Sequence, residues 1–168
     1  TLCRSDNKGK TWKIVYPDIS NAKKGLERLQ NYDYLPSEII EGAIDGTIEK
    51  IAVDPEDHKI IYLGLAPLKF YMSRNSTGEN RDSAMLVRSV DHGESWKLIS
   101  KLPGESIRAI FPPAECGLTD EVLVFTENAC VRVNKNNGEF RELPLPVDQI
   151  IAVEGGNGVK GNLIYLQA

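Results

Sequence analysis

The sequence predicts an all-β chain built from repeated four-stranded antiparallel units, and three observations carry that prediction. An eight-residue segment occurs twice, as Ser5-Asp6-Asn7-Lys8-Gly9-Lys10-Thr11-Trp12 and as Ser89-Val90-Asp91-His92-Gly93-Glu94-Ser95-Trp96. Each copy follows an Arg and leads into Lys and two aliphatics, Lys13-Ile14-Val15 and Lys97-Leu98-Ile99. A pair of apolar runs separated by a polar turn also recurs, at residues 51–64, 108–125 and 150–166. Short apolar runs bounded by Gly, Pro, Asn, Asp and Ser fill most of the rest, which is strand punctuation. Helical spacing is confined to residues 16–46.

Turn chemistry explains the octapeptide. A short acceptor such as Asp91 or Asn7 bonds backbone N–H groups a few residues on and folds a tight turn. Gly93 and Gly9 supply the positive φ such a turn requires. Ser89, Ser95, Ser5 and Thr11 offer hydroxyls to further backbone groups, while Trp96 and Trp12 are expected to carry apolar area back under the turn. Asp91 is therefore a structural acid rather than a catalytic one.

In chain order, residues 1–15 read as two strands around the first octapeptide. Residues 16–46 read as an insertion, with Ser20 or Asn21 capping a short helix over residues 22–30. A four-stranded unit occupies 47–100. Within it Ile51-Ala52-Val53 ends at Asp54-Pro55, because Pro cannot donate to a strand ladder. Ile60 to Leu65 is apolar on both faces, as for a strand covered on both sides. A long loop, 66–83, precedes the second octapeptide. A degenerate unit fills 106–143, where Arg108-Ala109-Ile110-Phe111-Pro112 echoes 51–55 and Asn134 to Phe140 keeps Gly138 but loses the Ser and Trp positions. Residues 149–168 repeat the inner strand pair once more.

The octapeptides fit the pattern S-x-D-x-G-x-[ST]-W, with Asn7 in place of Asp in the first, and so resemble the Asp-box of the bacterial neuraminidase repeat. The aliphatic-Asp-Pro-turn-aliphatic-Tyr-x-Gly run at 51–64 resembles the inner strands of the same propeller blades. The resemblance implies a partial β-propeller, a group spanning sialidase-like and xyloglucanase-like glycoside hydrolases, sortilin-type receptors and photosystem II assembly factors. It implies an outer half-blade at 1–15, blades at 47–100 and 106–143, and an inner half-blade at 149–168. Closed propellers have roughly 4 to 8 blades, so the expectation is a fragment of a longer propeller, or one whose remaining blades lie in another chain. Secretion or a periplasmic location is implied by resemblance alone.

Composition excludes some classes. With a net charge of −4 over 168 residues and no basic cluster, nucleic-acid binding is not expected. No apolar run approaches the roughly 20 residues of a membrane span. The two histidines, His58 and His92, lie in turns, and Cys3, Cys116 and Cys130 form no metal-ligating pattern. No metal or cofactor is expected. The spacing of Cys116 and Cys130 admits a disulfide, but buried free thiols are the preferred reading.

In the resembling family function sits on the loop face away from the Asp-boxes. Here that face is made by residues 16–46, 66–83, 101–106, 126–129 and 144–149, and the first two are the long loops where binding residues tend to lie. They carry Tyr34, Tyr71 and Arg74, candidates for a ligand-binding face, since aromatic rings beside charged groups suit sugars. Glu41 and Asp45 are candidate catalytic carboxyls for glycoside hydrolysis, which needs two acids about 5 to 10 Å apart; acids on a solvated loop more often only aid solubility. The Phe/Tyr-Arg-Ile-Pro motif normal in sialidases is absent. Asn75-Ser76-Thr77 is a formal glycosylation sequon. Two functions follow: a propeller acting on or binding carbohydrate, or a non-catalytic scaffold whose loop face binds a protein or peptide.

Overall fold

Two strands, β1 (Leu2–Arg4) and β2 (Lys13–Tyr16), flank the first octapeptide and pair antiparallel. In this computed structural model residues 1–17, 44–67, 83–158 and 161–168 are described, with side chains left out of account at 156–163. Strands β3 (Thr47–Val53), β4 (Ile61–Ala66), β5 (Ala84–Ser89) and β6 (Lys97–Leu102) form one antiparallel sheet in chain order. A second four-stranded sheet contains β7 (Ile107–Phe111), β8 (Glu121–Thr126), β9 (Cys130–Asn134) and β10 (Phe140–Leu143), again in chain order. Strands β11 (Ala152–Gly158) and β12 (Gly161–Gln167) make a two-stranded sheet. The chain is therefore all-β with four-stranded antiparallel sheets, and the predicted helix over 22–30 lies outside the described residues.

Local chemistry sets the turns between inner strands. Asp54, 7% exposed, accepts from the N–H groups of Glu56 (3.0 Å) and Asp57 (3.3 Å) through Oδ1, closing the β3–β4 turn that Pro55 opens. The corresponding β7–β8 connection is not a simple turn. It holds a short helix, α1 (Pro113–Cys116), because Pro113 stands at its first turn, where a missing N–H costs nothing, and Gly117 caps it at φ 67°.

Side-chain alternation puts each sheet's two faces against different neighbours. Tyr62, with Ala52 and Ile60, meets Ile107, Ile110, Val122 and Val124 of the next sheet. The opposite face of that next sheet, with Phe111, Leu123 and Phe125, packs on Ile150, Val153 and Leu166. The β3–β6 sheet in turn covers β1–β2, where Tyr16 and Leu2 lie on Leu63, Leu65, Met85 and Val87. Gly64 permits the close approach of the β7–β10 sheet, since a Cβ there would lie 2.7 Å from Ile107 Cγ2. Bulged residues reinforce it: Glu49 in β3 and Arg108 in β7 fall outside their strand registers. The carboxylate of Glu49 accepts from Ile107 N–H at 2.6 Å, and Arg108 Nε donates to the Ile150 carbonyl at 3.2 Å. Each bulge thus ties its sheet to the first inner strand of the next.

The cysteines are free thiols, Cys3 exposed and Cys130 buried. Burial pushes the Cys130 thiol up to about 11, with the Arg132 charge opposing, so at neutral pH it is a packed apolar group rather than a nucleophile.

The two tryptophans diverge, and one expectation is corrected. Trp96 lies half-buried over Val15 of the preceding strand pair, its indole N–H donating to the Val15 carbonyl at 2.7 Å, and its ring meets Tyr16 edge-on at 5.5 Å. Trp12, expected to be buried under its own turn, is 66% exposed. What covers a tryptophan here is the neighbouring strand pair, not the turn, and no described strand occupies that place beside Trp12.

Candidate binding face

Antiparallel order separates two ends. The β3–β4 turn and the octapeptide between β5 and β6 lie together, as the His92 N–H to Lys59 carbonyl bond (3.0 Å) shows. At the other end the β8–β9 connection meets the links from β6 to β7 and from β10 to β11, as the Glu127 N–H to Ser106 carbonyl (3.2 Å) and Ile150 N–H to Glu127 carbonyl (2.6 Å) bonds show.

At the octapeptide end the groups are spent on the backbone. In the second copy Ser89 Oγ accepts from Gly93 N–H (2.8 Å) and donates to Asp91 Oδ1 (2.7 Å), which also accepts from Ser95 N–H (2.9 Å). Ser95 Oγ donates to Asp91 Oδ2. Burial works to raise the Asp91 carboxyl, but the bonds from Ser95, Ser89 and the Glu94 N–H outweigh it and hold the group below its ordinary 3.8. In the first copy Asn7 Oδ1 accepts from Thr11 N–H (2.8 Å), and its Nδ2 donates to Thr11 Oγ1 (2.7 Å). The hydroxyl is acceptor in one copy and donor in the other, so one turn accommodates either an amide or a carboxylate. Glu94 joins the copies by ion pairs to Lys13 (2.7 Å) and Arg4 (3.2 Å). None of Ser5, Asn7, Gly9, Thr11, Ser89, Asp91, Gly93 or Ser95 has geometry that points beyond this structural work.

At the loop end two carboxylates are also engaged. Glu127 accepts from Glu105 N–H (2.7 Å) and Ser106 N–H (2.8 Å), one through each oxygen. Glu49 accepts from Ser106 Oγ (3.0 Å) as well as from Ile107. Two acids from different sheets therefore converge on Ser106 and fix the crossing from β6 to β7. Gly104, at φ 88°, lets the chain pass, since a Cβ there would lie 2.8 Å from the Glu127 carboxylate oxygens. Sequence reading misses Glu49 and Glu127, because a Glu in a strand and a Glu in a short loop carry no motif; only the strand bulge marks Glu49.

Of the predicted catalytic and ligand-binding residues, the structure describes Asp45 alone. It is half-buried two residues before β3, next to Ile44, whose carbonyl accepts the Tyr16 hydroxyl. Burial, and after it the Asp45 charge, hold that hydroxyl well above its usual range. Tyr34, Glu41, Tyr71 and Arg74 lie outside the described residues. Among the described residues no group of three His, Cys, Asp or Glu side chains is placed to hold a metal ion, and no helix is long and apolar enough to cross a membrane. Comparison of the chain with models of protein families, with curated proteins and with solved structures gives no match.

The Glu49 contact yields a direct prediction. Glu49→Ala leaves the Ile107 N–H, on a residue only 1% exposed, without its acceptor and should cost about 1–2 kcal/mol. Glu49→Gln keeps an amide oxygen there and should cost less than half as much. Urea denaturation of both variants checks the order, and equal losses would show that the contact is not what matters.

Proposed function

We propose that this chain is part of an Asp-box β-propeller whose loop face binds carbohydrate without hydrolysing it. The observation that carries the non-hydrolytic reading is the engagement of Glu49 and Glu127. A glycosidase needs one carboxyl free to protonate the leaving oxygen and another free to attack or activate water. The described acids at the junction between sheets instead spend their oxygens on main-chain N–H groups. They stiffen the platform from which the long loops project, and rigid platforms with variable loops suit recognition. The carbohydrate class rests on resemblance and on the sequence content of those loops, where Tyr34 and Tyr71 offer ring faces for sugar CH groups and Arg74 a fork of donors for hydroxyls or a carboxylate.

The test joins a glycan array to a panel of fluorogenic glycosides, both run on the intact chain. Binding without turnover is expected, and Tyr71→Ala or Tyr34→Ala should weaken it about tenfold. Turnover lost in Glu41→Gln or Asp45→Asn would establish the hydrolase instead. Capture of peptides with no glycan bound would establish the protein-binding scaffold.

A further inference from the structure

The turn between β9 and β10 keeps the octapeptide's glycine, Gly138, and sets three asparagines before it, Asn134, Asn136 and Asn137. Asn134 Oδ1 accepts from the N–H groups of Asn136 (2.9 Å) and Asn137 (3.2 Å), while the Asn134 carbonyl accepts from Gly138 N–H (2.9 Å). The Asn137 side chain bonds forward along the chain. Its Nδ2 donates to the Glu139 carboxylate (2.8 Å), and its Oδ1 accepts from Glu139 N–H (3.0 Å). Asn137 and Glu139 are both exposed. Gly138 stands against the Ile99 carbonyl of the preceding sheet, with no room there for a Cβ.

An asparagine followed by glycine carries its own reaction. The backbone nitrogen of the glycine attacks the side-chain carbonyl carbon, and no Cβ on that glycine hinders the approach. A nitrogen–carbon bond forms, the bond to the carboxamide nitrogen breaks, and ammonia leaves with the proton given up by the backbone amide. Water then opens the five-membered ring at either carbonyl. The product is an aspartyl residue or an isoaspartyl one, whose main chain runs through the side chain and is longer by one methylene. Asparagine is among the thermolabile residues that heat-adapted proteins avoid. Among the asparagines with described side chains, Asn137 is the one followed by glycine.

We propose that Asn137 is a deamidation site which the folded turn guards, and that its conversion loosens the junction between the β3–β6 and β7–β10 sheets. Hydrogen bonds provide the guard. Gly138 must release its amide proton to attack, and that proton is committed to the Asn134 carbonyl. The carboxamide is held toward Glu139 by two bonds and is not free to turn back on Gly138. Reaction therefore waits on local opening of the turn, and its rate follows the open population. The product does not fit the turn in which it arises. Where Nδ2 donated, a second carboxylate faces that of Glu139, and like charges at such a distance repel. The added methylene of the isoaspartyl form also moves Gly138 off the Ile99 carbonyl.

Peptide mapping by mass spectrometry on the full chain, aged in mildly alkaline buffer with and without denaturing urea, tests the guard. Deamidation at Asn137 should run about tenfold or more faster in urea. Glu139→Ala should raise the folded-state rate severalfold and leave the rate in urea unchanged. Glu139→Gln keeps an acceptor for Nδ2 and should react near the wild-type rate. Equal rates with and without urea, or a folded rate indifferent to Glu139→Ala, would overturn the guard, and an Asn137 that stays intact in urea would remove the site altogether. The effect on the junction is read on a defined product. Asn137→Asp should lower the urea midpoint and speed amide hydrogen exchange along β6 as well as in the turn. Adding Glu139→Gln, whose amide can donate to the new carboxylate, should recover most of the midpoint. Exchange that quickens in the turn alone would show that the two sheets do not part there.

Discussion

Gly138→Ala is expected to lower the melting temperature by about 6–12 °C, where Gly9→Ala lowers it by only a few degrees. Both glycines close turns at positive φ, 77° and 82°, so both substitutions incur the left-handed penalty of about 1–2 kcal/mol. They differ in what lies beside them. A Cβ at Gly138 would overlap the carbonyl oxygen of Ile99 on the outer strand of the preceding sheet, and backbone cannot swing aside as a side chain can. A Cβ at Gly9 would meet only the Trp12 ring, at 3.8 Å. Overpacking against a fixed neighbour adds about 1–3 kcal/mol, bringing Gly138→Ala to roughly 3 kcal/mol or more. At about 2–4 °C per kcal/mol for a chain of this length, the predicted shift follows. Thermal unfolding of the two variants side by side decides it. Equal shifts would mean that the sheets are not locked together at Gly138.

That contrast also marks what the sequence makes legible. All-β class and four-stranded antiparallel sheets can be read from it because the octapeptide is a local device: Ser89, Asp91, Gly93 and Ser95 satisfy one another within eight residues, so their spacing carries the turn. Inner strand pairs are legible for a similar reason, since alternation and the Asp54-Pro55 stop are local. What passes between sheets is not. Glu49 and Ser106 are 57 residues apart, and nothing in either neighbourhood signals that a bulge turns one toward the other. The exposure of Trp12 is a fact about neighbours, which its octapeptide cannot encode; Trp96, in the same motif, is covered only because Val15 lies beside it. The short helix at Pro113–Cys116 is visible in hindsight through Pro113 and Gly117, but the echo of 51–55 at 108–112 leads the eye to a turn instead. The candidate site was the least legible part. Aromatic and charged residues on long loops nominate a face without assembling a constellation, and the acids that do converge, Glu49 and Glu127, serve the scaffold.

At pH 7, Asp91→Ala should cost about 2–3 kcal/mol and Asp91→Asn under about 1 kcal/mol, with the chain itself supplying the precedent. Alanine removes the acceptor for Ser95 N–H and the partner of two hydroxyls, and hydrogen bonds to a charged group are worth about 1.5–3 kcal/mol. Asparagine reproduces what Asn7 does, accepting the backbone N–H through Oδ1 and turning the hydroxyl into an acceptor. Acid should then narrow the gap between wild type and Asp91→Asn. The Asp91 carboxyl is held below its ordinary 3.8 in the folded chain, so its charged form contributes stability above that value and loses it as pH falls through the lower, folded one. Glu94 is shifted the same way, first by its bond to Lys13 and then by that charge and Arg4, so Asp91→Asn keeps a residual acid sensitivity that Lys13→Met should reduce further. Urea titrations at neutral pH and near pH 3 measure all of this. If Asp91→Asn proves as damaging as Asp91→Ala at pH 7, the two octapeptides are not interchangeable turns, and the carboxylate has a task at Asp91 that Asn7 never performs.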